Sequence, residues 1–334
     1  MPFLWHKIKS TTGFIHTPIM LKKILFPFLL LNVLSLVSPE LYAQAQVGLK
    51  TVEISGEKKI NEREIEVKAY ELLNSDDDES KEVLNQELKD LLLIELNKIE
   101  AQKHTFSQIK SISILAPHDS SFLLFNWNIP FKDGTYQYEC GILTRNTTNN
   151  NPFIFLRDTV LNDDLKEKST TISNTWMPRL FYQLIESKTN FQTYYTLLAW
   201  DGNNLLTNKK SIEVLWFDKA GVARFGAPIF KYANAETKTR VEFEYGGQNR
   251  MKLQYNQALN RIEFDHLSPP SNNLIGIYEY YGADLSFDGF VWDGKNWIYH
   301  ADINLDEGLN KKKSDFKIDK DLIKGNKQIY NPKK

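Results

Sequence analysis

Residues with side chains suited to chemistry are sparse in this chain, and two groups of them share one string. Trp-Asp-Gly-x-Asn occurs at 200–204, in "YYTLLAWDGNNLLTNKK", and again at 292–296, in "FDGFVWDGKNWIY". In the second copy strand-like sequence resumes at once, which predicts a tight hairpin with Gly294-Lys295 at its tip and Trp292 facing Trp297. In the first, roughly eight residues are expected before the next strand, longer than a hairpin turn needs. That loop gathers oxygen donors from Asp201, Asn203, Asn204 and Thr207 beside Lys209 and Lys210. It resembles the start of a calcium loop, but the sixth-position glycine and the closing glutamate are missing, so no metal is expected there.

Nucleophilic catalysis finds little footing. His104, His118, His266 and His300 are the histidines beyond the N-terminal leader. "HDSS" at His118 reads as a polar turn between strands. Asp265 precedes His266 directly, and neighbours on a strand point to opposite faces, so it is poorly placed to orient that imidazole. No Gly-x-Ser-x-Gly elbow accompanies either histidine. Cys140, the single cysteine, sits in a predicted strand and is expected to be a buried, inert thiol; with one cysteine, no disulfide within the chain is possible. His300 and Asp302 in "YHAD" share a strand face, yet two ligands make no metal site. No cofactor motif is present. The aromatic residues Trp200, Trp216, Tyr278, Tyr280, Tyr281, Trp292 and Trp297 cluster in the C-terminal half. In an extended "GIYEYYGADL", Tyr278 and Tyr280 would share one face, a pair suited to a sugar or peptide ligand as well as to core packing.

The elements that would position these groups are helical first and β afterwards. Glu, Lys, Leu and Asn dominate 61–103, which predicts helices at 62–73 and 80–103. Leu84, Leu88, Leu91, Leu92 and Ile99 form the apolar side of the second, and the acids at 76–79 suit its N-terminus. From about residue 109 short apolar or alternating segments are broken by Gly, Asn, Asp and Pro. Strands are expected at 109–115, 122–127, 135–144, 153–156, 180–186, 287–292 and 297–303, ten to twelve in all. "TYYTLLAW" and "IEVLWF" are apolar on both faces and read as doubly covered strands. "TRVEFEYGGQNRMKLQYNQALNRIEFDHL" alternates strictly and predicts a three-stranded meander joined by "GGQN" and "NQALN", with one dry face. The fold class is therefore α+β and mainly antiparallel: a β-meander sandwich or open barrel behind an N-terminal helical segment, with a small β-propeller as the alternative.

Several of these stretches resemble a family of uncharacterised secreted bacterial proteins. A YYTLLxWDGNN stretch, "FGAPIF" and an FDHL-Pro stretch, here "FDHLSPP", occur in the family's order, and "FLLFNWNIPFKDGTYQYECGIL" is similar upstream. The resemblance spans most of 109–303 and implies secretion and one β unit. It brings no activity and no catalytic residue.

Export is also written at the N-terminus. From Met20, two lysines, an apolar run over 24–37 and Ala43-Gln44-Ala45 have the layout of a signal peptide cleaved after Ala45, with Met20 a candidate start. The run is too short for a spanning helix, so the mature chain has no expected transmembrane segment. Residues 1–45 hold four lysines and one glutamate, so a net charge of -1 becomes -4 on cleavage, and no global basic field exists to recruit nucleic acid. The expected organisation is a signal peptide at 1–45, a helical segment at 46–105, a β domain at 106–305 and a Lys-rich flexible tail at 306–334. The leading functional expectation is a periplasmic or extracellular binding protein for a glycan, a peptide or an envelope component, with Asp201, Asn203, Asn204, Thr207, Tyr278 and Tyr280 as ligand residues. The alternative is a hydrolase of an envelope or extracellular polymer using carboxylates from separate strands.

Overall fold

The computed structural model describes residues 59–145, 147 and 151–305. The leader, its cleavage site and the Lys-rich tail lie outside them. Helix α1 (Glu62–Asn74) is capped by Asn61, and α2 (Asp78–Leu96) by Asp77, whose carboxylate accepts from Ser80 N. The acidic run is thus helix-capping chemistry. α2 stops at Leu96, earlier than its sequence pattern predicts. Asn97 and Lys98 leave helical geometry before a 3₁₀ turn at Ile99–Lys103, which turns Ile99 out to 76% exposure. Leu88, Leu92 and Leu96 carry the buried stripe, with Leu84 and Leu91 against its edge.

The strands follow in chain order: β1 (Ser113–Leu115), β2 (Phe122–Pro130), β3 (Tyr136–Thr144), β4 (Phe153–Phe155), β5 (Arg157–Asp158), β6 (Thr175–Trp176), β7 (Leu180–Lys188), β8 (Thr193–Asp201), β9 (Thr207–Phe217) and β10 (Ala223–Phe225). A one-turn helix α3 (Asp163–Lys166) precedes β6. Then come β11 (Phe230–Lys231), β12 (Thr237–Lys238), β13 (Val241–Gly246), β14 (Leu253–Asn256), β15 (Arg261–Ser268), β16 (Gly282–Trp292) and β17 (Trp297–His300). Seventeen strands among the described residues exceed the expected ten to twelve, because seven are of two or three residues, too short to show a period.

They form three larger antiparallel sheets and a small parallel pair, β5 with β6. The first sheet runs β1-β2-β3-β4, and the central one β10-β9-β8-β7 with β13 also on β9. The third runs β12-β11-β17-β16-β15-β14, where only β11 with β17 is parallel. Three cores alternate with the sheets. Leu123, Phe125 and Trp127 of β2 pack under α1 and α2, whereas Phe122 and Leu124 turn the other way onto Leu197, Ala199 and Leu215 of the central sheet. Leu198, Ile212 and Val214 leave the central sheet's far face to meet Ile262, Phe264, Phe290 and Trp297 of the third. The doubly apolar texture of "TYYTLLAW" and "IEVLWF" thus has its physical reason: β8 and β9 are covered on both sides.

The predicted meander does not form. β13 pairs with β9 in the central sheet, while β14 and β15 pair in the third, so "GGQN" carries the chain between sheets and only "NQALN" closes a hairpin. Alternation along β13 reports two-sidedness correctly but cannot name the partner. The second Trp-Asp-Gly-x-Asn copy is the expected hairpin: Trp292 pairs with Trp297, their rings 5.3 Å apart, and Gly294 has φ +97°. No helix of the described residues is long and apolar enough to cross a membrane.

Candidate functional site

The first Trp-Asp-Gly-x-Asn copy is a shorter and more self-contained loop than its sequence suggests. β9 begins at Thr207, so five residues, not about eight, separate it from β8. Asp201 Oδ1 accepts from the Tyr138 hydroxyl at 2.9 Å and from Asn203 N at 2.8 Å, and Gly202 N donates back to the Tyr138 oxygen. Asn204 Oδ1 accepts from Leu206 N and Thr207 N. Asn203 Nδ2 and the Thr207 hydroxyl both reach Glu244 Oε1 on β13, at 3.3 and 2.7 Å. The oxygen-rich residues therefore spend most of their hydrogen bonds fixing the loop, which throws Leu205 and Leu206 outward at 74% and 62% exposure. Leu205 reaches over Gly134, at the turn before β3; a Cβ there would lie 2.1 Å from Leu205 Cδ2.

The inter-sheet crossing holds the other wall. Gly247 N donates to Leu206 O at 2.7 Å, and Gly246 N to Tyr281 O at 3.0 Å. One step of chain thereby clamps both the 202–206 loop and the 276–281 segment. A Cβ on Gly246 would lie 2.3 Å from the Glu279 carbonyl oxygen, so the clamp needs a residue without one. The 276–281 segment is not extended. Tyr278–Tyr280 is a 3₁₀ turn, so Tyr278 and Tyr280 do not share a strand face, and Tyr278 instead packs on Tyr281 with ring centroids 5.1 Å apart.

Between these walls lies a cavity of about 620 Å³, lined by Asn204, Leu205, Leu206, Thr207, Glu244, Ile277, Tyr278 and Glu279, with the Asp133–Thr135 turn closing one side. Of the six residues singled out by sequence, Asn204, Thr207 and Tyr278 line it. Asp201 and Asn203 brace the loop from behind, and Tyr280 stays outside the lining. Its ionisable lining groups besides Tyr278 are all carboxylic: Asp133, Glu244 and Glu279. Hydrogen bonds from Thr135 hold the Asp133 carboxyl below its ordinary value, so it stays ionised. Glu244 and Tyr278 are shared with a more polar recess of about 450 Å³, where Lys209 stands 3.5 Å from Glu244 and Lys238 stands 2.6 Å from Glu167. The sequence reading missed Glu244, Ile277, Glu279 and the two leucines. Leu205-Leu206 between asparagines and a threonine was a visible signal, since apolar pairs rarely belong in so polar a turn.

A scan against protein-family models, and searches of curated proteins and of solved structures, give no match.

The remaining candidates fall elsewhere. His118 lies in the turn between β1 and β2, where its backbone N–H donates to Glu186. Cys140 is free and buried in β3, and burial pushes its thiol well up from the ordinary value. His266 turns away from Asp265 and donates or accepts at Nδ1 with Asp288 Oδ2, 2.8 Å away on β16. Tyr299 OH also donates to that oxygen, at 2.7 Å. His266 occupies the point where the β15–β16 register slips, a bulge that re-aims its side chain. His300 and Asp302 do not share a strand face, because β17 ends at His300 and Asp302 takes φ +51°. Among the described residues no group of three or more His, Cys, Asp or Glu side chains is placed to hold a metal ion.

Proposed function

We propose that this chain is an exported, envelope-associated or extracellular binding protein, and that the 620 Å³ groove takes a cationic, partly apolar ligand, with a short basic peptide as the chemical type. The observation that carries this reading is the lining: exposed Leu205, Leu206, Ile277 and Tyr278 stand with the carboxylates of Asp133 and Glu279, and with Glu244, which Lys209 also approaches. Four segments, 133–135, 204–207, Glu244 on β13 and 276–279, converge to make it, and the two-glycine crossing at 246–247 pins two of them by backbone hydrogen bonds. Such a preformed wall lowers the ordering cost of binding. No His, Cys or Ser side chain lines the groove, so a Ser–His or Cys–His pair has no members there. Export rests on the signal-like leader and on the family resemblance.

The test is titration of a lysine- and leucine-containing hexapeptide into the folded protein, against a glutamate-containing peptide of equal length. The basic peptide is expected to bind, more weakly as salt rises. Tyr278→Ala and Glu279→Gln should each weaken it by about threefold to tenfold. Equal binding of the acidic peptide, or indifference to both substitutions, would remove the basis of the proposal. The hydrolase alternative predicts instead that an envelope or extracellular polymer is cut and that Glu244→Gln abolishes cleavage.

A further inference from the structure

The second Trp-Asp-Gly-x-Asn copy is also one jaw of a cavity. Its hairpin tip, 293–296, faces the β7–β8 hairpin tip, 189–192, across a cleft of about 430 Å³ floored by Pro228 and Ile229. Both tips are rigid by their own bonding. Thr189 Oγ1 accepts from Phe191 N and Gln192 N, and Gln192 Nε2 reaches Phe217 O. Asp293 Oδ1 accepts from Lys295 N and Asn296 N, and Trp297 N ties the strand to Ile229 O at 2.8 Å. Beyond these bonds, four side chains remain unspent. Asn190, Phe191, Lys295 and Asn296 make no side-chain hydrogen bond, ion pair or ring contact among the described residues, and Phe191 is 97% exposed.

We propose that this cleft is a binding site for an acidic saccharide, a glycan chain carrying carboxylates. The chemistry of the free groups selects that class. A flat exposed aromatic offers a stacking platform for the apolar face of a pyranose. Two uncommitted primary amides each present a donor pair and an acceptor, the complement of vicinal hydroxyls. Lys295 supplies one ammonium, and no carboxylate lines the cleft; the neighbouring Asp293 carboxylate is turned onto the Lys295 and Asn296 amides of its own tip. A peptide strand would add along a strand edge, whereas the rim here is two hairpin tips whose amides at Phe191, Gln192, Lys295 and Asn296 are already bonded within the tips. Nucleic acid would need a basic track, whereas Lys295 is the single Lys or Arg in the lining. The site is separate in position and opposite in charge from the groove at Tyr278.

The experiment titrates an oligogalacturonate tetramer and a neutral gluco-oligosaccharide of equal length into the full chain, read by calorimetry and by ¹⁵N chemical-shift changes. The acidic sugar is expected to bind more tightly, with shifts at the Asn190 and Asn296 amides. Phe191→Ala should weaken both sugars about fivefold, and Lys295→Gln should weaken the acidic one about threefold while sparing the neutral one. Both substituted residues are exposed, so melting temperature serves as the folding control. Tyr278→Ala should leave saccharide binding unchanged, which keeps this result distinct from the fate of the basic-peptide proposal. No binding of either sugar, equal binding of both, indifference to Phe191→Ala and Lys295→Gln, or loss on Tyr278→Ala would each overturn it.

Discussion

Replacing Glu213 with glutamine is expected to destabilise the protein by about 3 kcal/mol, the lower end for breaking a buried ion pair. Arg240 and Glu213 are 0% and 1% exposed, with Arg240 Nε 2.7 Å from Glu213 Oε2. At an effective dielectric of about 20 the gross attraction at that distance is roughly 6 kcal/mol, offset in large part by desolvation of two charges. Glutamine keeps an acceptor oxygen but removes the charge, so a guanidinium is left buried without its counterion. The lower end is chosen because Arg240 also donates to the carbonyls of Lys166, Ser169 and Phe225, which remain. Arg240→Met should cost more, about 5 kcal/mol, since it strands the Glu213 carboxylate as well as those three carbonyls. Pairing Arg240→Met with Glu213→Leu should recover part of the loss but not all, because the carbonyls stay unpaired. Differential scanning calorimetry reads these as melting-temperature falls of about 2–4 °C per kcal/mol at this chain size. If Arg240→Met cost no more than Glu213→Gln, or if the double variant matched the wild type, the carbonyl bonds would have no energetic role and the reasoning would fail.

Stability should also depend on His266. Its hydrogen bond to Asp288 raises its pKa above the ordinary 6.5, against a smaller opposing effect of burial, with the charges of Asp288, Asp284 and Asp302 adding to the rise. A raised folded value gives stability that is full below the unfolded value and is lost as pH climbs through the folded one. Melting temperature should therefore fall across that window, and His266→Asn should flatten the fall. Tyr138→Phe removes the hydroxyl that bonds Asp201 and Gly202; faster amide exchange at 202–206 and weaker peptide binding are expected, with a modest change in global stability of about 1 kcal/mol. Asn85→Leu strands the Trp127 indole N–H and removes a donor to Glu139, and should cost about 1–3 kcal/mol by denaturant unfolding.

What was legible in the residues followed local period. The apolar stripe of α2 from Leu84 to Leu92, the two-faced texture of β8 and β9, and the paired tryptophans of 292–297 all came from spacing and have their expected setting, whereas Ile99, expected on that stripe, lies outside it. What failed depended on partners. The alternation in 241–264 predicts strands equally well in one sheet or two; the chain in fact crosses between sheets after Gly246, where its backbone lies close against Glu279. Tyr278 and Tyr280 lost their common face because a 3₁₀ turn, next to the Gly246 bond to Tyr281, replaced an extended segment, and nothing in the tyrosines themselves marks it. At the groove, the donor-rich Asp201 and Asn203 drew attention by type, yet they build the wall from behind. Glu244, forty residues on, presents the carboxylate, and no local pattern ties it to the loop.

Strand β8 gives the molecule a length scale. One cavity opens where β8 ends and the other where it begins, so the two lie about 30 Å apart along nine residues of extended chain. Sheets press on both faces of that strand, leaving it no room to buckle. A basic guest at one end and an acidic guest at the other would be held at a set spacing, and the protein would act as a ruler between them.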